Sequence, residues 1–219
     1  MRSSKLPAAD AGTPRFGMSG AKLVALFAVT MAAAALADAA VIEWLTARGH
    51  TLRDVGRLLS EGGTVRIMVP VALVVVLRAW ILRRDAILRF LPRLVLATGL
   101  ASATSSVLKL VFSRSRPNHP NPGELRLFAF DDDATSFPSG HATAAFAAAG
   151  AIGLAFPEYR RPMLVLAAVV GLGRILARRH YPLDVMGGAW LGVAFAWGMA
   201  WLIDRIVEAR RTRATTGPS

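Results

Sequence analysis

The sequence predicts an all-α, polytopic membrane protein in which six transmembrane helices form a bundle with a functional site at one membrane face. Of its 219 residues, 54% are hydrophobic and only 18% are charged, and the mean hydropathy is +0.45, which is typical of integral membrane proteins. There is no cysteine, which excludes disulfide scaffolds and thiolate metal sites. The net charge of +12, in so apolar a chain, favours lipid headgroups or phosphorylated ligands over nucleic acid.

Six apolar segments are candidates for crossing the hydrocarbon core, which takes roughly 20 helical residues. They comprise residues 21–45, 64–82, 90–112, 141–156, 162–177 and 183–203. The third segment is rich in Ser and Thr and the fourth in Ala and Gly, and such residues favour close packing between helices in lipid. The polar segment 46–63 is expected to carry a surface helix around "TLRDVGRLLS", and the loop 113–137 is too polar to lie in hydrocarbon.

The distribution of Lys and Arg predicts the orientation of the chain. Basic residues concentrate in the N-terminal tail, the loop around 83–93, the pair Arg160 and Arg161, and the segment 205–213. By the positive-inside rule both termini are cytoplasmic in a plasma (inner) membrane. The loops 46–63, 113–140 and 178–182 then face the periplasmic or extracellular side.

Ionisable residues gather in three stretches on that outer face. These stretches are "KLVFSRSRP" with Lys109 and Arg116, "PSGH" with Ser139, Gly140 and His141, and "GRILARRHYPLD" with Arg174, His180 and Asp184. Taken singly, most have an ordinary explanation: a lysine near a helix end snorkels, arginines such as Arg114 contact headgroups, and a Ser-Gly pair caps a helix. Arg174 is harder to explain, because a charge beside an apolar run needs a partner or a water-filled cavity.

Together these residues indicate a phosphate site. Lys109, Arg116 and Arg174 supply fixed positive charge, and arginine can bind phosphate oxygens through two parallel donors. The turn at Ser139 and Gly140 precedes a helix, so its backbone N–H groups favour an anion. Two histidines and a carboxylate suit nucleophilic displacement, in which one imidazole attacks phosphorus and the other protonates the leaving oxygen.

This chemistry requires neither a metal ion nor a cofactor, because three cations and a helix N-terminus can stabilise the developing charge. The acidic run Asp131 to Asp133 lies in a loop punctuated by Gly and Pro. We interpret it as a solvated loop rather than a metal site.

In this order the three stretches resemble the three signature motifs of the type 2 phosphatidic acid phosphatase family, over roughly residues 90–204. The matching patterns are Lys109-x6-Arg116-Pro117, Pro138-Ser139-Gly140-His141 and Arg174-x5-His180-x3-Asp184. The resemblance implies a metal-independent phosphatase in which His180 is transiently phosphorylated, Asp184 supports it and His141 protonates the leaving group. It also implies that Lys109, Arg116, Ser139, Gly140 and Arg174 hold the phosphate. One departure is visible, since Gly173 stands where the family usually has serine.

The apolar segments, the charge distribution and the resemblance together predict a division of the chain. Residues 1–20 form a cytoplasmic tail, 21–83 the first two spans, 84–206 the catalytic core and 207–219 a basic tail. The expected reaction removes a terminal phosphate from a lipid of a bacterial type, such as undecaprenyl pyrophosphate, phosphatidylglycerol phosphate or phosphatidic acid. Two alternatives stay open: a lipid phosphotransferase that uses the same phosphohistidine, and a non-catalytic membrane subunit that binds phosphorylated lipids.

Overall fold

The computed structural model describes residues 19–60, 84–128 and 135–215, together with four separate helical positions between residues 73 and 81. The described ranges form helices α1 (Gly20–Ala47), α2 (His50–Arg57), α3 (Arg84–Phe112), α4 (Gly140–Ala155), α5 (Arg160–Leu176) and α6 (Pro182–Thr215), with a 3₁₀ turn at Pro157–Tyr159 before α5. The all-α prediction is confirmed for this part of the chain. The predicted second span, 64–82, and the acidic run at 131–133 lie essentially outside the described residues.

Among the described residues, three helical stretches are long and apolar enough to cross a membrane: α1, residues 90–112 of α3 and residues 182–210 of α6. The fourth and fifth predicted spans are helices, but α4 has 16 residues and α5 has 17. At 1.5 Å per residue each is about 25 Å long, which is less than the roughly 30 Å of a bilayer core. Pro157 restricts Phe156 to an extended conformation, which ends α4. The count of six spans therefore stays a prediction.

Helix α4 lies at the centre of the bundle. Its residues Ala142, Ala145, Ala149 and Ile152 are buried, and it packs against α3, α5 and α6. At its end, the rings of Phe90 and Phe156 meet edge to face at 5.2 Å. This cluster joins α3, α4 and α5 into one core.

Helices α4 and α6 approach each other at the distance of backbone contact. A Cβ on Gly188 would lie 2.6 Å from the Ser139 carbonyl oxygen, and a Cβ on Gly192 would lie 2.4 Å from that of Thr143. Only glycine permits such an approach. These two positions, one turn apart on α6, therefore set the spacing between the two helices that carry the predicted histidine and carboxylate motifs.

Helix α1 packs along the outside of α6. The indole N–H of Trp190 donates to the Thr30 hydroxyl at 2.9 Å, and the rings of Phe27 and Trp190 meet edge to face at 5.5 Å. Much of the rest of α1 is exposed and apolar, as Leu36 shows with 85% of its surface accessible. Such a surface suits contact with lipid.

The three predicted site stretches meet at one end of the bundle. There the C-terminal ends of α1, α3 and α5 lie near the N-terminal ends of α4 and α6. Three contacts define this end: Arg178 donates to Thr46 at 3.4 Å, and Arg114 binds both Asp38 and Asp184. At another level of the bundle, α3 and α6 are joined by an ion pair between Arg93 and Asp204.

We expect Gly192→Ala to destabilise the protein, because the new methyl group would collide with the backbone of α4. Overpacking of this kind typically costs about 1–3 kcal/mol. Gly198→Ala is the matched control, since nothing lies within 4 Å of a Cβ at that position of α6. Thermal unfolding of the purified variants in detergent would measure the difference. Equal midpoints for the two variants would contradict the close contact between α4 and α6.

Candidate active site

The first turn of α6 fixes the position of Asp184. Pro182 is the first residue of the helix, where its missing N–H costs nothing. The Asp184 carboxylate reaches back to accept a hydrogen bond from the Tyr181 backbone N–H at 2.8 Å, as the third residue of a capping box does. His180 immediately precedes this turn, so the sequence "HYPLD" itself brings the carboxylate to the histidine.

The Asp184 carboxylate is fully buried and bound on both oxygens. Its Oδ1 accepts from Arg114 Nη1 at 2.8 Å, and its Oδ2 accepts from the Ser136 hydroxyl at 2.5 Å. The His180 Nδ1 lies 3.6 Å from Oδ2 and 3.5 Å from the Ser136 oxygen. Because Nδ1 faces these acceptors, Nε2 is the ring nitrogen left for other chemistry.

Arg114 links two buried carboxylates. Besides Asp184, its guanidinium binds Asp38 of α1 through Nη2 at 2.7 Å and stacks on the Tyr181 ring at 4.0 Å. The second oxygen of Asp38 accepts from the Leu183 backbone N–H at 2.9 Å. Asp38 therefore satisfies a free amide of the α6 N-terminus while it neutralises Arg114.

The loop after α3 holds Arg114 and Ser136 in place through its backbone. Ser115 donates to the Glu124 carbonyl at 2.8 Å, and Ser136 donates to the Arg114 carbonyl at 2.8 Å. The segment around Arg114 is thus bonded on one side to residues 124–126 and on the other to Ser136. This pairing brings the Ser136 hydroxyl to Asp184.

The start of α4 faces Lys109. Ser139 caps the helix, its hydroxyl accepting from the Ala142 N–H at 3.5 Å, and its own N–H donates to the Asp184 backbone carbonyl at 2.9 Å. A Cβ on Gly140 would lie 4.0 Å from Lys109 Nζ. An ammonium group therefore lies beside the positive end of the helix, which is a favourable arrangement for binding an anion.

Two more cations reach the same region. Lys109 interacts electrostatically with both Arg116 and Arg174, and Arg174 is buried, with 7% of its surface accessible. Arg116 is held by a hydrogen bond to the Thr135 hydroxyl at 3.3 Å. His180 in turn interacts with Arg174 and Lys109, so the cationic cluster and the histidine belong to one site.

Burial determines the protonation state of His180. Desolvation of the fully buried ring lowers its pKa from 6.5 to about 4, and the nearby Asp184 only partly opposes this effect. The imidazole is therefore neutral at physiological pH.

Arg114 shows the opposite balance. Burial alone would lower the pKa of its guanidinium, but the charges of Asp184 and Asp38 outweigh burial and raise the pKa above its ordinary value.

The structure brings the predicted site residues to one end of the bundle. Lys109, Arg116, Ser139, Gly140, Arg174, His180 and Asp184 are joined by the contacts above, and His141 follows Gly140 in the first turn of α4. In the part of the chain that is described, no three His, Cys, Asp or Glu side chains cluster as metal ligands.

Sequence reasoning missed three contributors to the site: Asp38, Ser136 and the role of Arg114. The expectation that Arg114 contacts lipid headgroups is wrong, because its side chain is 14% exposed and pairs with two carboxylates. A signal for Asp38 was present, since an acidic residue within an apolar span usually has a functional partner. No local pattern marked Ser136, whose role depends on the fold of a long loop.

A profile of the PAP2 superfamily matches residues 90–208, which include all three motifs. The chain belongs to the PAP2 superfamily. The family resemblance read from the motifs is thereby confirmed.

Curated PAP2 relatives include a lipid A 1-phosphatase of Rhizobium johnstonii, which is 36% identical over 109 residues covering 48% of this chain and 43% of the relative. A decaprenylphosphoryl-5-phosphoribose phosphatase of Mycobacterium tuberculosis is 37% identical over 97 residues, covering 42% of this chain and 50% of the relative. The chain thus spans about half the length of the curated relatives it matches.

Solved PAP2 structures share the fold at low sequence identity. A transmembrane PAP2-type phosphatidylglycerolphosphate phosphatase from Bacillus subtilis gives a TM-score of 0.55 at 21% identity, over 87% of this chain and 96% of that chain. Aquifex aeolicus LpxE gives a TM-score of 0.51 at 20% identity, over 74% of this chain and 93% of that chain. These likenesses concern the architecture alone.

The departure from the PAP2 motif at Gly173 has a structural reason. A Cβ on Gly173 would lie 2.8 Å from the Ser60 nitrogen and 3.0 Å from the Gly56 carbonyl oxygen. The segment at the end of α2 therefore occupies the space that a serine side chain would need. In this protein, the docking of α2 against α5 leaves no room for a side chain at position 173.

We expect Asp38→Ala to destabilise the protein by about 3 kcal/mol, because Arg114 would lose one of the two buried carboxylates that compensate its charge. The variant would also leave the Leu183 N–H without its acceptor. Asp54→Ala is the matched control, because Asp54 is 67% exposed and pairs with Arg57 at 3.6 Å; exposed pairs contribute little. Thermal unfolding in detergent tests both variants. An unchanged midpoint for Asp38→Ala would contradict the bridging role of Arg114.

Proposed function

We propose that this protein is a membrane lipid phosphatase that removes a terminal phosphate through a phosphohistidine at His180, without a metal ion. The observation that carries the proposal is the convergence of Lys109 Nζ with the N-terminus of α4, where Gly140 leaves the backbone open. Arg116 and Arg174 add charge to the same place. Fixed positive charge beside a helix N-terminus favours the binding of an anion such as a phosphate group.

The environment of His180 supports its role as the nucleophile. Its low pKa of about 4, caused by burial, keeps the ring unprotonated at neutral pH, so a lone pair is available on Nε2. Asp184 and Ser136 lie on the Nδ1 side and orient the ring. They also stabilise the positive charge that the ring acquires when Nε2 bonds to phosphorus.

The proposed reaction has two balanced steps. In the first, the His180 Nε2 lone pair forms a bond to phosphorus while the bond from phosphorus to the lipid oxygen breaks, and His141 gives its proton to that oxygen. In the second, a water molecule attacks the phosphohistidine and transfers a proton to His141, and the phosphorus–nitrogen bond breaks. Orthophosphate leaves and both histidines return to their initial states.

A lipid substrate is supported by the position of the site. It lies at the end of helices that are long enough to cross a membrane, so a phosphate on a lipid whose tail stays in the bilayer can reach it. The named substrates of PAP2 relatives are lipids as well, lipid A and decaprenylphosphoryl phosphoribose among them. We propose phosphatidylglycerol phosphate, undecaprenyl pyrophosphate or phosphatidic acid as substrates.

The distribution of basic residues supports a multi-pass location in the plasma membrane. We propose that both termini are cytoplasmic and that the site opens on the periplasmic or extracellular face. Substrate would then be taken from the outer leaflet.

We expect His180→Gln to reduce phosphate release from these lipids by at least about a thousandfold, because the variant lacks the nucleophile. His50→Gln is the matched control, since His50 is exposed at the start of α2. Release of inorganic phosphate by purified protein in detergent is the measurement, with unfolding midpoints recorded to show that both variants fold. Full activity of His180→Gln would exclude the mechanism.

The same assay on the wild-type protein distinguishes the two alternative functions. A protein that releases phosphate only when an acceptor lipid is added is a phosphotransferase. A protein that binds phosphorylated lipid without turnover is a lipid-binding subunit.

We expect kcat/KM to form a bell against pH with an unusually low acid limb. Protonated His180 cannot attack, and its pKa is lowered from 6.5 to about 4, so activity falls only as the pH drops towards 4. The alkaline limb belongs to the group that protonates the leaving oxygen in the proposed mechanism. An acid limb near pH 6.5 that persists with a substrate ionised throughout this range would contradict the assignment. The free energy of unfolding should also decrease as the pH falls from 6.5 towards 4, because His180 binds a proton in the unfolded chain over this range and not in the folded protein. Circular dichroism at each pH is therefore required to show that the protein is still folded.

A further inference from the structure

A second cationic pocket lies beside the histidine site. Its volume is about 160 Å³, and three arginines line it: Arg53 of α2, and Arg178 and Arg179 of the turn between α5 and α6. None of the described residues that line it is acidic. At roughly 30 Å³ per water molecule the pocket has room for a small hydrated anion rather than for a lipid tail.

Arg178 has a backbone conformation that is unfavourable for a residue with a side chain. Its φ is +53°, in the left-handed region, and its N–H donates to the Ile175 carbonyl at 2.8 Å at the end of α5. Glycine adopts this conformation at helix ends without a penalty. The strain accompanies the placement of the Arg178 guanidinium at the pocket.

The guanidinium of Arg178 is also positioned by a partner. Its Nη1 donates to the Thr46 hydroxyl at 3.4 Å, and Thr46 lines the same pocket. The side chain is therefore held along the pocket wall, between the end of α1 and the end of α5.

The positive charge in this pocket differs from that elsewhere at this end of the bundle. Arg57 pairs with Asp54, and Arg114 pairs with Asp38 and Asp184. By contrast, within the described ranges no carboxylate forms an ion pair with Arg53 or Arg179. Arginine stays charged at any physiological pH, so three guanidinium groups around one small space repel each other unless an anion joins them.

We propose that this pocket binds a second lipid phosphate, next to the one that reacts. Pro117, which follows Arg116, and Arg179, which precedes His180, both line it, so the two sites share two chain segments. Arginine groups of this kind bind phosphate oxygens through paired donors. The proposal rests on the proposed lipid phosphatase function and adds to it a preference for substrates or neighbours with another phosphate in the headgroup region.

Two sources could supply that phosphate, and kinetics distinguish them. Phosphatidylglycerol phosphate carries a phosphodiester in addition to the phosphate that is removed, whereas phosphatidic acid carries the reacting phosphate alone. If the phosphodiester of the substrate occupies the pocket, Arg178→Gly and Arg53→Gln raise KM about tenfold for phosphatidylglycerol phosphate and leave KM for phosphatidic acid unchanged in neutral detergent. If a neighbouring lipid occupies it, the variants affect phosphatidic acid only when phosphatidylglycerol is added to the micelles.

Arg178→Gly is a favourable variant because glycine relieves the backbone strain, so loss of folding is not expected. Arg57→Gln is the matched control, since Arg57 lies on α2 but outside the pocket. kcat should stay within about twofold in all three variants, because neither Arg53 nor Arg178 contacts the reacting group in the proposed mechanism.

A binding measurement keeps this proposal separate from the phosphatase proposal. Native mass spectrometry of the purified protein would count phosphatidylglycerol and phosphatidylcholine molecules retained from mixed micelles. We expect wild-type protein and Arg57→Gln to retain phosphatidylglycerol preferentially, and Arg178→Gly and Arg53→Gln to lose that preference. If the wild-type protein released no phosphate, the enzyme proposal would fail while this measurement would still decide the pocket. Equal retention and equal KM values for all variants would overturn the second phosphate site.

Discussion

The buried chain of charges from Asp38 through Arg114 to Asp184 is the interaction on which the rest of the site depends. It ties α1 to the loop after α3 and to the first turn of α6. Burying three ionised groups is costly, and the cost is offset only because every oxygen of the two carboxylates has a donor and because the α6 N-terminus adds its own positive end. Loss of Arg114 would leave two buried carboxylates without their ion-pair partner, and loss of either carboxylate would leave Arg114 with one partner instead of two.

This arrangement also divides the positive charge of the site into two classes. Arg114 is neutralised by carboxylates and serves to hold Asp184 beside His180. Lys109, Arg116 and Arg174 lie around the start of α4 instead, where the carboxylate of Asp184 is already engaged. Arg114 therefore orients residues of the protein, whereas Lys109, Arg116 and Arg174 lie where an anionic ligand can bind.

The sequence was sufficient to predict the parts of the site that short-range geometry determines. Asp184 reaches His180 because both belong to one helix start, and Ser139 caps α4 because the pattern before an apolar run is that of a cap. Residues joined only by the tertiary fold could not be found in this way. Asp38 and Leu183 are in contact although 145 residues separate them in the sequence. Ser136 reaches Asp184 only because the backbone of its loop bonds to the segment at Arg114.

Helix lengths were the weaker part of the prediction. Hydropathy identifies α4 and α5 as apolar helices but does not predict whether they are long enough to cross the bilayer. A helix that is covered by neighbouring helices needs apolar and small residues in either case. The glycines of α6 illustrate the same limit. They are compatible with any apolar helix, and only the approach of the α4 backbone explains why Gly188 and Gly192 lack side chains.

Asp38 lies in α1, outside the segment 90–208 over which common ancestry is recognisable. A fragment cut along that boundary would retain every motif and yet lack one of the two carboxylates that pair with Arg114. The set of residues that holds the site together therefore extends beyond the segment that the family profile matches. A chimera that takes residues 90–208 from this protein should therefore take α1 from it as well, because Asp38 of α1 pairs with Arg114.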